Sequence, residues 1–347
     1  MIIVTNFRKK VDNLFFNAII AMVIIMTVKN RVLRILEENR GEFVSGNEIS
    51  KQLFVSRNAV WKAVNELKKE GYSIESVTNR GYMLPCSNDI VSPEGIEKYL
   101  NYPLKITVLQ EVDSTNNYLK SLAAQGADEG TLIVAKKQTG GRGRMGKSFF
   151  SPDGTGIYFS LLVKPDFTVE KSLLLTVMAA VAVMETVKEY SDADIKIKWV
   201  NDVYADGKKL CGILTEGSVS LENSGLDFAI IGIGINIYAP DGGFPEDIKN
   251  TAAAVFSSKD GRGDMKSKIT AEVMNRFLDM YYGKDCDYAE RYRNMSYLDG
   301  KKITVLGHGG NEQATALYIN ENCRLVVKTD DGEIKALSTG DVSVRIQ

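Results

Sequence analysis

Apolar positions along this chain change their spacing twice. From Val28 to Leu67 they recur at helical intervals: Val32, Leu33, Ile35 and Leu36 first, then Ile49 and Leu53, then Val60, Val64 and Leu67. A period of three to four residues places each set on one helical face. Ser45 and Ser56 stand where N-caps belong, and Gly71 stands where a helix ends. Phe54-Val55 reads as a tight turn between the second and third helices. Tyr72 to Val77 and Gly81 to Leu84 then read as short strands around Thr78-Asn79-Arg80. The pattern predicts a winged helix-turn-helix over residues 28–84.

Pro85 to Pro103 (residues 85–103) breaks this rhythm and is expected to be a linker. Beyond it, strands are predicted at Lys105 to Gln110, Leu132 to Lys136, Gly156 to Val163, Ile195 to Trp199, Leu210 to Thr215 and Phe228 to Ile237. Helices are predicted near Asn116 to Ala124, Lys171 to Tyr190 and Met265 to Tyr282. Such an order suits an α/β or α+β domain on one mixed sheet, over 104–298. From Gly300 the runs shorten: Lys302 to Leu306, Ala314 to Ile319, Arg324 to Lys328 and Val342 to Ile346, parted by Gly and Asp turns. These predict a small SH3-like β-barrel over 299–347. The fold class is therefore multi-domain.

Residues 1–27 fit none of these patterns. Arg8, Lys9 and Lys10 precede an apolar stretch from Leu14 to Met26 broken only by Asn17. No small-residue cleavage site follows, and the stretch is short for a membrane span, which needs about 20 residues. The expectation is that translation starts at Met26, with a membrane anchor as the alternative.

Composition narrows the chemistry. With 347 residues and 44% hydrophobic content, the chain can bury two or three cores. A net charge of -1 argues against a surface that grips nucleic acid everywhere. Cys86, Cys211, Cys286 and Cys323 are scattered, with no C-x-x-C pair, which disfavours a zinc ribbon or disulfide framework and fits a reducing cytoplasm. His308 is the only histidine. Chemistry must then run on Lys, Arg, Asp, Asn and backbone groups.

Four segments carry candidate chemistry. Gln138-Thr139-Gly140-Gly141-Arg142-Gly143-Arg144-Met145-Gly146-Lys147 joins glycines, whose N–H groups can cradle an anion, to fixed positive charge. It is neither a Walker loop nor a dinucleotide fingerprint. A flexible basic loop is the plainer reading, but such segments repeat and this one occurs once, between two strands. Lys198-Trp199-Val200-Asn201-Asp202 followed by Lys209-Leu210-Cys211-Gly212-Ile213-Leu214 sets a carboxylate and an ammonium on a hairpin; alone, that is more often a surface salt bridge. Asp113-Ser114-Thr115-Asn116 opens a helix, and an N-cap accounts for it equally well. Gly232-Ile233-Gly234-Ile235-Asn236 places glycines in an apolar strand, where they mark a close approach by a ligand or another chain. In the N-terminal domain, Arg57, Asn58 and Lys62 are candidate base readers, and Arg80 a phosphate contact. Ten Lys and Arg against seven Glu over 28–84 is a small excess, so plain solvation competes with DNA binding there.

These segments, in this order, resemble the biotin–protein ligase family, and the preceding winged helix resembles its bifunctional repressor-ligase members. The similarity spans roughly residues 28 to 347, and the Gly-Arg-Gly-Arg-x-Gly loop is its most specific mark. The resemblance makes 104–298 a biotin and ATP catalytic domain. It implies that Ser114, Thr115, Asn116 and Gln138 meet the biotin ureido ring, and that Arg142, Gly143 and Arg144 close over biotin and phosphates. It sets Lys209 against the biotin carboxylate and α-phosphate, with Gly212 and Leu214 along the biotin tail. Asn201, Asp202, Asn236, Lys147 and Phe149 fall to the ATP, Mg²⁺ and adenylate region. Gly340 to Arg345 looks like the family's C-terminal cap. Val200, Phe149 and Lys147 depart from the usual Pro, Trp and Arg; none of these removes a charge.

The implied activity joins biotin to ATP as biotinyl-adenylate, then passes biotin to a lysine of a biotin carboxyl carrier protein, a carboxylase subunit. Lys209, Arg142, Arg144 and Asp202 would be catalytic. Mg²⁺ would enter with ATP, with no protein ligands assigned. The implied partners are the carrier, operator DNA and a second copy of the chain, not a membrane. A lipoate–protein ligase, a biotin sensor that has lost ligation, and a ligase whose winged helix is only structural are the alternatives.

Overall fold

The computed structural model describes residues 26–166, 171–219, 225–259, 262–307, 310–337 and 342–346. His308, Gly340, Asp341 and the apolar stretch before Met26 lie outside them. The described residues fall into two compact units, one within 26–108 and 259–272, the other within 109–258 and 273–346.

The first unit contains the expected winged helix. Helices α1 (Val28–Glu38), α2 (Gly46–Leu53) and α3 (Arg57–Lys69) precede the hairpin β1 (Glu75–Val77) and β2 (Gly81–Met83). Ser45 and Ser56 cap α2 and α3 by accepting from the backbone N–H groups of Glu48 and Ala59. Phe54 makes the turn in the left-handed region, at φ 55°. Val32, Leu36, Ile49, Val60, Val64 and Leu67 close the core with almost no exposure. Gly81 has φ +106°, and a Cβ there would lie 2.1 Å from the Val44 carbonyl oxygen, so the wing needs glycine.

Residues 85–103 differ from the linker expectation. They hold a short helix, α4 (Pro93–Glu97), and bury Val91, Ile96 and Tyr102. Pro93 at the first position of that helix suits a helix N-terminus. Beside it, Glu37 accepts from Arg40 at 2.8 Å and from Lys98 at 2.9 Å. Asp264 pairs with the same two cations, at 3.3 and 2.5 Å. Arg40 is 9% exposed and the Glu37 side chain is fully buried. Because neither acid can recover water, Arg40→Met is expected to destabilise this unit by roughly 3–5 kcal/mol. Thermal unfolding checks this, and an unchanged transition would contradict it.

The second unit is built on a seven-stranded sheet in the order β3-β4-β5-β9-β8-β7-β6. Its strands are β3 (Lys105–Val112), β4 (Thr131–Gln138), β5 (Gly156–Val163), β6 (Ile195–Lys198), β7 (Asp202–Ala205), β8 (Lys208–Val219) and β9 (Leu226–Asn236). The stretches β5 and 229–236 are buried residue by residue, which fits central strands covered on both faces. Helix α5 (Thr115–Ala124) covers β4, β5 and β9, while α6 (Leu173–Lys188) lies on β6 to β9. Helix α6 is apolar nearly all round because it is a core helix. Among the described residues, no helix is long and apolar enough to cross a membrane. Helices α7 (Met265–Tyr281) and α8 (Tyr288–Asn294) follow.

The C-terminal strands are β10 (Lys302–Gly307), β11 (Gly310–Ile319), β12 (Leu325–Thr329), β13 (Ile334–Ala336) and β14 (Val342–Ile346). They form one antiparallel sheet ordered β13-β12-β11-β10-β14, in keeping with a small β module.

Candidate functional site

Strand glycines shape the site. On the paired strands β8 and β9, Gly212 faces Gly234 and Leu214 faces Gly232. A Cβ on Gly234 would lie 2.6 Å from the Phe149 ring, and one on Gly232 would lie 2.1 Å from Asn116 Oδ1. The bare backbone therefore lets two side chains from other elements descend onto the sheet. Around this floor Ser114, Thr115, Asn116, Gln138, Arg142, Phe149 and Leu214 line a recess.

The recess is wired by hydrogen bonds. Gln138 Oε1 accepts from the Thr115 backbone N–H at 2.8 Å and from its hydroxyl at 3.1 Å, while Nε2 donates to Ser151 Oγ at 3.1 Å. Ser160 donates to Asn116 Oδ1 at 2.6 Å. Asn116 Nδ2 donates to the Leu214 carbonyl at 3.1 Å and to Glu216 Oε2 at 2.8 Å. Ser114 stands at the N-cap position of α5, yet its side chain makes no capping bond. The N-cap position holds as the sequence implies, and the uncommitted Ser114 side chain takes a place in the recess wall.

The glycine–arginine loop leaves β4 and is pinned at its base, where Thr139 and Gly140 donate to the carbonyls of Val112 and Asp113 at 2.9 and 2.8 Å. Its two arginines diverge. Arg142 reaches Asn117 Oδ1 at 2.8 Å and Glu216 Oε1 at 3.4 Å, at the recess. Arg144 is half-buried beside Asp202 and Tyr292, and burial lowers its pKa. The loop strand then returns with Gly143 donating to the Lys147 carbonyl at 2.6 Å. Lys147 is exposed.

Lys209 Nζ stands 2.8 Å from Asp202 Oδ1. That oxygen is buried, so the ammonium is its close charge partner. Lys209 also lies 5.7 Å from the Phe149 ring centre, linking the ion pair to the glycine floor. Its backbone is clamped, with N–H on the Thr251 carbonyl at 2.7 Å. The strand end leading to Asp202 is braced too. Trp199 Nε1 donates to the Cys323 carbonyl at 3.0 Å, and Tyr292 Oη to that of Val200 at 2.9 Å. The Trp199–Val200 peptide is cis.

Of the residues singled out in the sequence, Ser114, Thr115, Asn116, Gln138, Arg142, Phe149, Gly212 and Leu214 meet in one recess. Asp202, Lys209 and Arg144 gather beside it. Asn201 and Asn236 are not in its lining, and both amides act as struts, bonded to the carbonyls of Ile213 at 2.8 Å and Ala253 at 2.9 Å. Sequence reasoning missed Ser160 and Glu216. Each left a signal: Ser160 is the one small hydroxyl residue in an apolar strand, and Glu216 continues the every-second-residue series of Gly212 and Leu214. In the first unit, Arg57, Asn58 and Lys62 are exposed on α3. Arg80 instead stacks on the Phe43 ring at 4.1 Å.

Three family models match the chain. The Biotin/lipoate A/B protein ligase family covers residues 108–236, an HTH domain 28–83, and the biotin protein ligase C terminal domain 300–345. The bifunctional ligase/repressor BirA of Bacillus subtilis is 32% identical over 333 residues, covering 92% of this chain and 99% of that protein. The biotin--[acetyl-CoA-carboxylase] ligase of Mycobacterium tuberculosis is 29% identical, covering 69% and 88%. Among solved structures, the biotin protein ligase from Aquifex aeolicus in complex with biotin and ATP superposes with a TM-score of 0.58. It is 29% identical and covers 70% of this chain and 99% of that one.

Proposed function

This chain belongs to the bifunctional biotin–protein ligase and repressor family, and from that premise we propose how its residues perform the chemistry. The enzyme joins biotin to ATP, forming biotinyl-5'-AMP and pyrophosphate. It then transfers biotin to a specific lysine of a biotin carboxyl carrier domain. Through its N-terminal winged helix it also represses transcription in response to biotin. The observation that carries the site assignment is the glycine-floored recess beside the Lys209–Asp202 pair.

Ser114, Thr115, Asn116 and Gln138 offer fixed donors and acceptors to the ureido ring, and Gly212 and Leu214 flank the tail. The biotin carboxylate is ionised at neutral pH and needs no general base to attack the α-phosphate. The demand is for placement and for cancelling negative charge. Lys209, Arg142, Arg144 and Lys147 supply positive charge around the reacting groups, and Phe149 offers a face to the adenylate. Asn201 and Asn236 support this region by holding its strands.

A divalent ion fits as part of the nucleotide substrate. Among the described residues no cluster of three or more His, Cys, Asp or Glu could hold a metal. Asp202 Oδ1, ion-paired with Lys209 at 2.8 Å, is a buried oxygen suited to stand beside phosphate-bound Mg²⁺ once that ammonium turns to phosphate. That ion would neutralise phosphate charge. When Lys209 turns to phosphate, Asp202 becomes free to take the proton of the incoming acceptor lysine.

The adenylate is a mixed anhydride that water destroys, so the loop must also exclude solvent. Gly143 has φ −120° and its nearest neighbour to an added Cβ is 3.3 Å away. That neighbour is the Lys147 carbonyl to which Gly143 donates, so Gly143→Ser should press this loop crossing apart by a few tenths of an ångström, loosening the seal and letting biotinyl-adenylate escape. Chromatography of the products checks this; full retention until transfer would contradict it.

The assembly proposed is a homodimer favoured by bound adenylate, which brings two winged helices to a two-part operator by population shift. The four free cysteines suit a cytoplasmic workplace. Incubation with biotin or lipoate, ATP and a biotin carrier domain tests the function. The carrier should gain one biotinyl group and no lipoyl group; the reverse outcome defeats the reading.

A further inference from the structure

The chain has two tryptophans, and they are treated oppositely. Trp199 is 3% exposed with its indole N–H bonded, whereas Trp61 is 54% exposed. Trp61 lies on α3, one turn after Arg57. The inward side of that helix is filled by Val60, Ala63, Val64 and Leu67, so the indole belongs to the presented face. Lys62, Asn65, Glu66, Lys68 and Lys69 line a shallow depression with it. Three ammonium groups against one carboxylate give that surface a positive balance, suited to a polyanion.

We propose that Trp61 reads duplex DNA directly, packing its indole on the C5-methyl group of a thymine in the major groove, and so helps set sequence preference. The inference rests on the repressor reading above. Lysines on phosphates bind every sequence alike. Arg57 and Asn58 have the donors and acceptors to distinguish guanine and adenine edges. The remaining major-groove mark is the thymine methyl, which only an apolar surface can recognise. Trp61 is the large apolar side chain that α3 exposes.

The test selects ligands from a random-sequence duplex pool using the full chain with biotin and ATP, and then replaces thymine by uracil position by position. The wild type should enrich a motif in which one uracil per half-site weakens binding on the order of tenfold, the scale of one mismatched contact. Trp61→Ala should bind thymine and uracil versions equally, with an unchanged salt dependence and an unchanged thermal transition. Trp61→Phe should restore part of the preference. Since Trp199 is buried, acrylamide quenching reports Trp61, and the selected duplex should shield it.

Equal loss by Trp61→Ala on selected, uracil and random duplexes, or no loss at all, overturns the proposal. So does a change in sedimentation of Trp61→Ala without DNA, which would make the ring a protein contact. A wild type that enriches no motif removes the repressor reading and this proposal together. A wild type that enriches one while Trp61→Ala keeps the same thymine preference removes this proposal alone.

Discussion

Lys209→Ala should lower the rate of biotin-dependent pyrophosphate release by about two to three orders of magnitude, the usual cost of losing one charge-stabilising group. The fold should survive, with a thermal transition within a few degrees of wild type, because the Lys209 side chain is one-third exposed and its backbone clamp to Thr251 does not depend on the ammonium. Biotin affinity should fall less than turnover, since the ureido-ring partners Ser114, Thr115, Asn116 and Gln138 are left in place. Near-normal pyrophosphate release by a folded variant would remove Lys209 from the chemistry.

Gly232→Ala should be the most damaging single-methyl change in the second unit. The added Cβ would sit 2.1 Å from Asn116 Oδ1. Asn116 cannot easily yield, because Ser160, Leu214 and Glu216 hold it by three hydrogen bonds. Displacing it combines overpacking with the loss of buried polar partners, together about 2–5 kcal/mol. Biotin affinity should drop by about a hundredfold or more, as the side chain is pushed across the recess it lines. Calorimetric titration and thermal unfolding check both parts, and wild-type values in either would contradict the close approach.

Much of this architecture was legible in the residues because local signals agreed with the fold. Ser45 and Ser56 announced two helix starts, and the run from Gly156 to Val163 announced a strand with the bounds the structure shows. The glycine–arginine loop stood out because it occurs once, between two strands, and the structure brings its Arg142 to the recess. What escaped notice depended on distant partners. Residues 85–103 looked like a linker since their five-residue helix and the Lys98 that follows it are held by ion pairs to Arg34 and Glu37, far away in sequence. The strand Asp202–Ala205 was too short to show a period. Asn201 and Asn236 carry side chains typical of a binding site, and only the three-dimensional pairing with Ile213 and Ala253 reveals them as struts. Arg80 likewise reads as a free cation until Phe43 is seen beneath it.

The most direct test is chemical. The purified chain is mixed with biotin, ATP and magnesium, without any carrier protein, and the bound small molecules are separated and weighed. Biotinyl-adenylate should accumulate on the protein with matching pyrophosphate release, and should form about two to three orders of magnitude more slowly in Lys209→Ala. A folded wild-type chain that yields no acyl-adenylate would contradict the assignment of this site.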